Sequence, residues 1–581
     1  MCLEPLQRSH ETWKGMYMNE KIQIIFGLFG GLAIFIYGMN MMSECLQKAA
    51  GEKMKSILAL LTKNPVLGVL AGALTTAVLQ SSSATTVMAI GFVSAKLMTL
   101  PQAISIILGA NIGTTMTAQI IAFKITDYIY LFVFAGFLVN FIAKSQKIKN
   151  IGLTIFAFGL LFLGIETMGT VMKPLASSSI FTDMIARVAN VPVLGVAVGT
   201  LMTLVVQSSS ATIAVLQNFA SQADVDGVTS ILGLTGAIPI LFGDNIGTTI
   251  TAFLASVGQS KDAKRTAIAH CVFNISGCLL FIGLIKPFAQ FIQWISPKGN
   301  EVDVISRQIA NAHTTFNVVM TLIWIPLIWL LVKIVMFLIP DKKEAEQKDP
   351  AEPLYLDHNL IAQPVPALQL VTREVLHCSE VVGDMLKQVE DNSKKQEDGI
   401  LEYIVEKEQI VCGLGEQIHD YLSHMFVEGV LTEEQAEQAT GMMYVLCDVE
   451  RISLLCREIT ETIVSQNKKQ HKFSKEALKE LKKSMQVLSK MYEEAMQIVS
   501  MGETAEKDVL QEYKKVITDL DSSMRTAHME RVGKGECSAK LTITYNALLH
   551  MIERMGNSCI NLADSGIVFQ KTLDNYNLLM L

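Results

Sequence analysis

NPVLGVLAGALTTAVLQSSSATTVMA, residues 64–89, recurs in this chain as VPVLGVAVGTLMTLVVQSSSATIAVL, residues 191–216. The two stretches align without gaps at an offset of 127 residues and agree at about 15 of 26 positions. Each is followed by the motif GxNIGTT, at residues 109–115 and 243–249. Self-similarity over such a distance is typical of a duplicated structural unit. We therefore predict two repeats, at about residues 22–143 and 150–295.

Charged residues are distributed unevenly along the 581 residues. Residues 22–340 hold about 29 of the roughly 103 Asp, Glu, Lys and Arg, although they make up more than half of the chain. This part contains apolar stretches near or above the roughly 20 residues that cross a bilayer. They lie at residues 22–45, 128–143, 151–172, 267–285 and 304–339. We predict a polytopic membrane domain over residues 22–340, after an N-terminal extension at 1–21 that is not a signal peptide.

The remainder of the chain has a different composition. Residues 341–366 are charged and contain proline, which is typical of a linker. In residues 367–581 apolar side chains recur at three- and four-residue spacing, which predicts about six helices in a bundle. The ten cysteines form no CxxC pair, and six of them lie after residue 360, which indicates a reduced, cytoplasmic domain. The predicted fold class is all-α, and the net charge of −7 suggests no nucleic-acid surface.

The charges of the short loops predict how the repeats lie in the membrane, because loops rich in Lys and Arg face the cytoplasm. If each QSSS segment enters and leaves from one side, all basic loops fall inside and all acidic loops outside. Three crossings then precede the second repeat, and an odd number inverts it. We predict inverted repeats whose QSSS segments are re-entrant hairpins, opening to opposite sides and meeting near the membrane midplane. The basic loops are 144–149, 261–265 and 342–343, and the acidic loops are 224–226 and 301–303.

The QSSS segments are polar sequences in apolar surroundings. Their Gln and Ser side chains cost free energy there unless they bond to backbone, to another helix or to a ligand. Serines that hold helices together are one interpretation. The Gly next to Thr in each GxNIGTT motif favours a ligand site, because it permits an unwound helix whose carbonyls and hydroxyls line a cavity. Hydroxyls and helix N-termini suit an oxyanion, and oxygen ligands suit a hard cation.

Asp244 and two histidines add ionisable groups to this domain. Asp244 is the one acid in the two copies of GxNIGTT, at the position of Ala110 in the first copy. An intramembrane carboxylate is a functional-site hypothesis, so we predict a cation ligand or coupling residue; the alternative is a residue at a cavity edge. His270 and His313 are each followed by Asn four residues later, on one helical face. These pairs predict either buried interhelical hydrogen bonds or proton coupling.

In these motifs the chain resembles the sodium/phosphate cotransporter family, which includes the type II renal and intestinal carriers. The doubled QSSS and NIGT motifs carry the resemblance over most of residues 22–338, together with HCVFNISG at residues 270–277. It implies a secondary transporter, not an enzyme, that imports inorganic phosphate with sodium across the bacterial inner membrane. Sodium would be the coupling ion, and no organic cofactor is expected. The implied partners are phosphate, sodium and the lipid bilayer, without nucleic acid, and a homodimer is left open.

The resemblance also assigns site residues by position. The binding core consists of the two QSSS segments: Gln80, Ser81, Ser82, Ser83, Gln207, Ser208, Ser209 and Ser210. The supporting residues come from the GxNIGTT motifs: Asn111, Thr114, Thr115, Asn245, Thr248 and Thr249. The sodium candidates lie in the second repeat: Gln207, Ser208, Ser209, Asp244 and Asn245. Two alternatives stay open, a phosphate-binding membrane sensor that signals through the tail and a carrier or exporter of another oxyanion.

The tail, residues 367–581, resembles PhoU-like regulatory domains, which are doubled three-helix bundles. VERIS at residues 449–453 and IERMG at residues 552–556 are similar to that family's Glu-Arg-Ile-Gly-Asp metal segment. Leu454 and Asn557 stand where the final Asp is expected, which removes a hard oxygen ligand from each copy. The sequence therefore predicts a regulatory or dimerisation domain and argues against metal binding by these two segments.

Overall fold

The computed structural model describes residues 20–59, 64–123, 128–176, 187–188, 190–224, 226–340, 351–361, 363–392, 398–427, 431–467, 473–501 and 508–580. The predicted N-terminal extension up to residue 19, and residues 341–350 of the predicted linker, lie outside these ranges. The chain divides into two compact units, one that ends at Asp341 and one that begins at Lys342.

The first unit begins with a long helix, a pair of short helices, a helix interrupted at Thr114, and a short apolar helix. In chain order these are α1 (Glu20–Ala59), α2 (Pro65–Leu79), α3 (Ser82–Ser94), α4 (Leu100–Gly113), α5 (Thr115–Ile121) and α6 (Ile129–Ile142).

The following helices repeat this order, with an interruption at Thr248, and then continue. They are α7 (Gln146–Ala176), α8 (Pro192–Val206), α9 (Ser209–Ala220), α10 (Gly233–Gly247), α11 (Thr249–Ala255), α12 (Lys261–Ile282), α13 (Ile285–Ile295), α14 (Glu301–Trp324) and α15 (Ile328–Leu338). The described residues contain an isolated β-bridge between Ala223 and Ser230 but no strand, so the predicted all-α fold class is confirmed.

Six helices of the described residues are long and apolar enough to cross a membrane. They include both interrupted helices and overlap four of the five apolar stretches that the sequence indicated. The fifth stretch, 128–143, forms α6, whose 14 residues are fewer than the roughly 20 that span a bilayer. The six helices are Gln23–Leu46, Leu100–Ile121, Ile148–Met172, Gly233–Ala255, Lys261–Ile282 and Glu301–Leu338.

Helices α1 and α7 occupy equivalent positions in the two repeats and pack against each other. A Cβ added at Gly38 would lie 2.8 Å from the backbone N of Leu161, and one added at Gly164 would lie 2.6 Å from the backbone N of Phe35. These contacts are reciprocal, because residues 161 and 164 are the counterparts of residues 35 and 38. Moving up α1 from 35 to 38 means moving down α7 from 164 to 161, so the two helices run antiparallel. Reciprocal contacts of this kind are the mark of a two-fold relation.

Each pair of short helices packs backbone to backbone against the interrupted helix that follows it. A Cβ at Gly109 would collide with the carbonyl oxygen of Val69 in α2. A Cβ at the equivalent Gly243 would collide with the carbonyl oxygen of Val196 in α8. Glycine at these two positions therefore permits the close approach, and it brings the QSSS segments next to the GxNIGTT motifs.

The described residues of the second unit form a bundle of six long helices. The first three pack against one another, as do the last three, and the two groups share one apolar core through contacts between α18 and α21. The thiols of Cys378, Cys456 and Cys559, which we call the buried thiols, lie in this core. The helices are α16 (Pro364–Asn392), α17 (Asp398–Val427), α18 (Glu433–Asn467), α19 (Lys475–Met501), α20 (Asp508–Gly533) and α21 (Thr542–Met580).

Candidate functional site

A glutamine in the left-handed conformation joins each pair of short helices. Gln80 follows α2 with φ 52°, and Gln207 follows α8 with φ 54°. This conformation costs a residue with a side chain roughly 1–2 kcal/mol, so the surrounding structure must hold it in place. Each turn places the serines that follow the glutamine at the start of the next helix, α3 or α9.

The first serine of each QSSS segment caps a helix. Ser81 Oγ accepts a hydrogen bond from the backbone N of Ala84 at 3.1 Å. Ser208 Oγ accepts one from the backbone N of Ala211 at 3.3 Å. A cap of this kind satisfies one of the free N–H groups at a helix start. The remaining free N–H groups carry the positive end of the helix dipole, so each segment presents hydroxyls and backbone donors together.

A pair of threonine hydroxyls closes each hairpin. Thr76 Oγ1 in α2 donates to Thr85 Oγ1 in α3 at 2.8 Å, and the equivalent Thr203 and Thr212 lie 3.0 Å apart. Only the second pair is joined to a carboxylate among the described residues, because Thr203 Oγ1 also lies 2.7 Å from Asp244 Oδ1. Ala110 occupies the corresponding position in the first repeat, so the two halves of the site differ in charge.

The interrupted helices hold their polar side chains in the same way in both repeats. Each Asn amide donates to the carbonyl four residues earlier, and each Thr after the interruption donates to the carbonyl three residues earlier, at 2.7–3.0 Å. These side chains are Asn111, Asn245, Thr115 and Thr249. The two Asn side-chain oxygens are thereby left to face other helices.

Each QSSS segment touches the interrupted helix of the other repeat. Thr114 Oγ1 in the first repeat lies 3.4 Å from Ser209 Oγ in the second. Thr251 Oγ1 in the second repeat donates to Ser83 Oγ in the first at 3.0 Å. These contacts bring the hydroxyls of both segments into one region between the repeats.

The residues that the sequence indicated differ in exposure. Ser81, Ser83, Ser208 and Ser209 are half-buried, whereas Gln207 is exposed. The others are buried: Gln80, Ser82, Asn111, Thr114, Thr115, Ser210, Asp244, Asn245, Thr248 and Thr249.

The two glutamines therefore sit in different surroundings. Gln80 Oε1 accepts a hydrogen bond from Thr117 Oγ1 at 3.0 Å within its own repeat. Thr251, the counterpart of Thr117, binds Ser83 of the other repeat instead. Gln207 is exposed, so the second hairpin presents its glutamine while the first one buries it. The doubled sequence did not reveal this difference.

Histidine and asparagine side chains of α12 and α14 face the interrupted helices. His270 Nε2 lies 3.4 Å from Asn111 Oδ1, and Asn317 Nδ2 donates to Asn245 Oδ1 at 3.4 Å. Both contacts join different helices, which is the interhelical geometry considered from the sequence. His313 is 1% exposed, and neither of its ring nitrogens has a hydrogen-bond partner within the described residues.

Asp244 also has an atom without a protein partner. Its side chain is 0% exposed, and its Oδ2 has no hydrogen-bond partner within the described part of the chain. A buried carboxylate oxygen is costly to leave unpaired. Its chemistry fits a hard cation, which prefers oxygen ligands.

Sequence reasoning missed a polar network that joins α5, α9 and α14. Arg307 Nη1 donates to Gln119 Oε1 at 2.6 Å, and Gln119 Nε2 donates to Thr314 Oγ1 at 3.0 Å. Gln217 Nε2 donates to the carbonyl oxygens of Ala118 and Ser306 at 3.1 and 2.9 Å. The signal in the sequence was the rarity of arginine in residues 22–340, where it occurs three times.

The comparisons with known proteins agree with this architecture. The family model described as Na+/Pi-cotransporter matches residues 34–170 and 167–296, and each match contains one QSSS segment and one GxNIGTT motif. The uncharacterized protein YqeW of Bacillus subtilis is 33% identical over 266 residues, which are 46% of this chain and 84% of that protein. The chain belongs to the Na+/Pi-cotransporter family. As a member of this transporter family with six apolar helices, it is a multi-pass membrane protein of phosphate transport.

Two further relatives cover the chain to different extents. The protein named "Putative inorganic phosphate export protein YjbB" of Salmonella typhimurium is 23% identical over 512 residues, 87% of this chain and 90% of that protein. The human protein named "Sodium-dependent phosphate transport protein 2B" is 34% identical over 129 residues, 21% of this chain and 19% of that protein. No solved structure matches the chain significantly.

Proposed function

We propose that this family member couples the import of inorganic phosphate to sodium, using one site made by both QSSS segments. The observation that carries the proposal is the pair of contacts between repeats, Thr114 with Ser209 and Thr251 with Ser83. A site that both repeats build can be reached from either side by moving one repeat against the other.

Phosphate is bound in this proposal by the serine hydroxyls and by the free backbone N–H groups at the starts of α3 and α9. Two of the three arginines in residues 22–340 are hydrogen-bonded to protein groups outside the QSSS segments. Arg265 donates to the carbonyl of Ile339 and to Asp262, and Arg307 donates to Gln119. Without a fixed guanidinium, the positive charge that balances phosphate comes from a cation that binds with it and then leaves.

Sodium is that cation, and Asp244 is its charged ligand. The free Oδ2 of Asp244 lies in the second repeat, together with Asn245 and the QSSS segment that begins at the exposed Gln207. Oxygen ligands of this kind suit a hard cation. Co-transport is energetically useful, because each net charge moved inward gains about 2.3 kcal/mol per 100 mV.

Inversion of the repeats is part of the same proposal. The reciprocal, antiparallel contacts of α1 and α7 support a two-fold axis that lies across both helices, as inverted repeats require. The basic and acidic loops support hairpins that open to opposite sides, with the second unit in the cytoplasm. In this proposal the second unit adjusts transport.

The test is uptake of labelled phosphate into proteoliposomes with an imposed inward sodium gradient. We expect concentrative uptake in the wild type and its loss in Gln207→Ala. Gln293→Ala, which truncates an exposed glutamine of α13, serves as the matched control and should transport normally. Absent uptake under the gradient, or undiminished uptake in Gln207→Ala, would overturn the proposal.

Export of phosphate is the second candidate, because a relative aligned over 87% of this chain is named "Putative inorganic phosphate export protein YjbB". The same vesicles distinguish the two directions. Vesicles loaded with labelled phosphate are given an inward or an outward sodium gradient. A sodium-coupled importer should release labelled phosphate faster when the sodium gradient points outward. Release at the same rate with either sodium gradient would favour an exporter.

A further inference from the structure

We propose that the second unit binds one transition-metal ion of the zinc class between α17 and α18, through His419, Cys447 and Glu450. Each of these residues offers one ligand atom, and the three atoms lie within 4.8 Å of one another. The His419 Nε2 and Glu450 Oε2 atoms are 4.0 Å apart. One ion at about 2.0–2.3 Å from each atom holds two tetrahedral ligand atoms about 3.3–3.8 Å apart. Small side-chain movements at the protein surface would therefore bring the three atoms onto one ion.

The helix geometry directs two of the ligands to one place. Cys447 and Glu450 are three residues apart on α18, so they share a face of the helix. Leu446 and Val449, next to them in the sequence, are 0% exposed and belong to the apolar core. The apolar core thus fixes the rotation of α18 about its axis. This rotation places Cys447 and Glu450 outside the core, next to His419 of α17.

Gly415 provides an independent indication that the Glu450 carboxylate has a built position. A Cβ added at Gly415 would collide with Glu450 Oε1. α17 therefore lacks a side chain where the carboxylate of α18 lies, one turn before His419. The carboxylate is seated against α17 and is 31% exposed, so an ion can reach it from solvent.

The donor set selects the class of ion. An imidazole, a thiolate and a carboxylate together suit zinc and similar divalent transition metals, whereas magnesium and calcium prefer oxygen ligands alone. Three protein ligands leave a fourth position for water, as in tetrahedral sites with an open position.

This inference revises the expectation from the sequence. The two Glu-Arg segments were expected not to bind metal because each lacks its final acid. In the first segment, Glu450 is joined by His419 and Cys447, two donors that lie outside the segment. In the second, Glu553 lies 3.5 Å from His550 on its own helix. The proposed site is therefore a property of the first half of the bundle.

The experiment uses the purified full-length protein in detergent, with Zn²⁺ and Co²⁺ as probes. We expect one ion per chain in competition titrations with a chromogenic chelator, and a near-ultraviolet thiolate-to-Co²⁺ absorption band. Cys447→Ser should abolish that band, and Glu450→Gln and His419→Gln should lower Zn²⁺ affinity at least about tenfold. Cys412→Ser and His424→Gln remove an exposed thiol and an exposed imidazole of α17 and should bind as the wild type does.

Gly415→Ala tests the site without removing a ligand. The added Cβ should displace the Glu450 carboxylate and weaken Zn²⁺ binding, while the helical circular dichroism of the protein stays unchanged. A wild type without the thiolate band would overturn the proposal. So would equal losses of affinity in the ligand variants and in the two controls.

Discussion

Replacing Asp244 with asparagine removes a charge from the candidate site and keeps its shape. The side chain is 0% exposed, and its Oδ1 lies 2.7 Å from the Thr203 hydroxyl. Its Oδ2 has no partner within the described residues. The amide group introduced by Asp244→Asn has nearly the same volume and still offers an oxygen to Thr203. It cannot offer a negative charge to sodium.

The size of the effect follows from what the carboxylate contributes. Removing one partner of a fully buried ion pair costs about 3–5 kcal/mol, but a transport site opens to water during its cycle. We therefore use the range for hydrogen bonds to charged groups, about 1.5–3 kcal/mol. Since each 1.4 kcal/mol is roughly tenfold, the apparent sodium affinity should fall about 10- to 150-fold. Phosphate affinity at saturating sodium should change little.

The assay is the initial rate of labelled phosphate uptake into proteoliposomes over a range of sodium concentrations. Asp226→Asn is the matched control, because Asp226 is an exposed acid of the same unit. We expect the Asp244→Asn curve to shift to higher sodium and the Asp226→Asn curve to overlay the wild type. A wild-type sodium dependence in Asp244→Asn would refute the assignment of Asp244 as the sodium ligand.

Three further substitutions have defined outcomes. Gly109→Ala places a methyl group against a carbonyl of α2 and should destabilise the membrane domain by about 1–3 kcal/mol, measured as a lower thermal midpoint in detergent; an unchanged midpoint would contradict the close approach. Thr251→Val removes the hydrogen bond to Ser83 and should weaken phosphate binding by about fivefold, since such a bond is worth about 1 kcal/mol; calorimetric titration that gives wild-type affinity would contradict it. The hydrogen bond with buried Glu374 raises the pKa of His377 in the folded protein. The protonated imidazole therefore stabilises the fold below the ordinary histidine pKa of about 6.5, and this stabilisation is lost as the pH rises through the raised pKa of His377. Labelling of the buried thiols should therefore be slower at pH 6 than at pH 8 after correction for thiolate content, and His377→Gln should remove this difference; an unaltered difference would contradict it.

The architecture could be predicted from the sequence because its signals are periodic or repeated. Apolar length indicated four of the six membrane-length helices of the described residues, the offset of 127 residues indicated two equivalent halves, and Gly next to Thr indicated interrupted helices. These features depend on local composition, which a sequence displays directly. The interruptions at Thr114 and Thr248 lie within the predicted motifs for that reason.

The differences between the halves could not be predicted in this way. The doubled motif predicts the same environment for Gln80 and Gln207. In the structure Gln80 is buried and accepts a hydrogen bond from Thr117, whereas Gln207 is exposed. Which residue each threonine contacts depends on how the two repeats pack against each other, and sequence periodicity holds no information on this packing. The network of Arg307 with Gln119 was missed for a related reason, because residues 188 apart meet only through tertiary packing.

The central claim is that the two QSSS segments form one phosphate site. Phosphate binding to the purified protein at saturating sodium, with Ser82→Ala and Ser209→Ala as equivalent substitutions in the two repeats, tests it most directly. A shared site predicts one phosphate per chain and weakened binding in either variant. Two phosphates per chain, with one retained at wild-type affinity in each variant, would contradict the account.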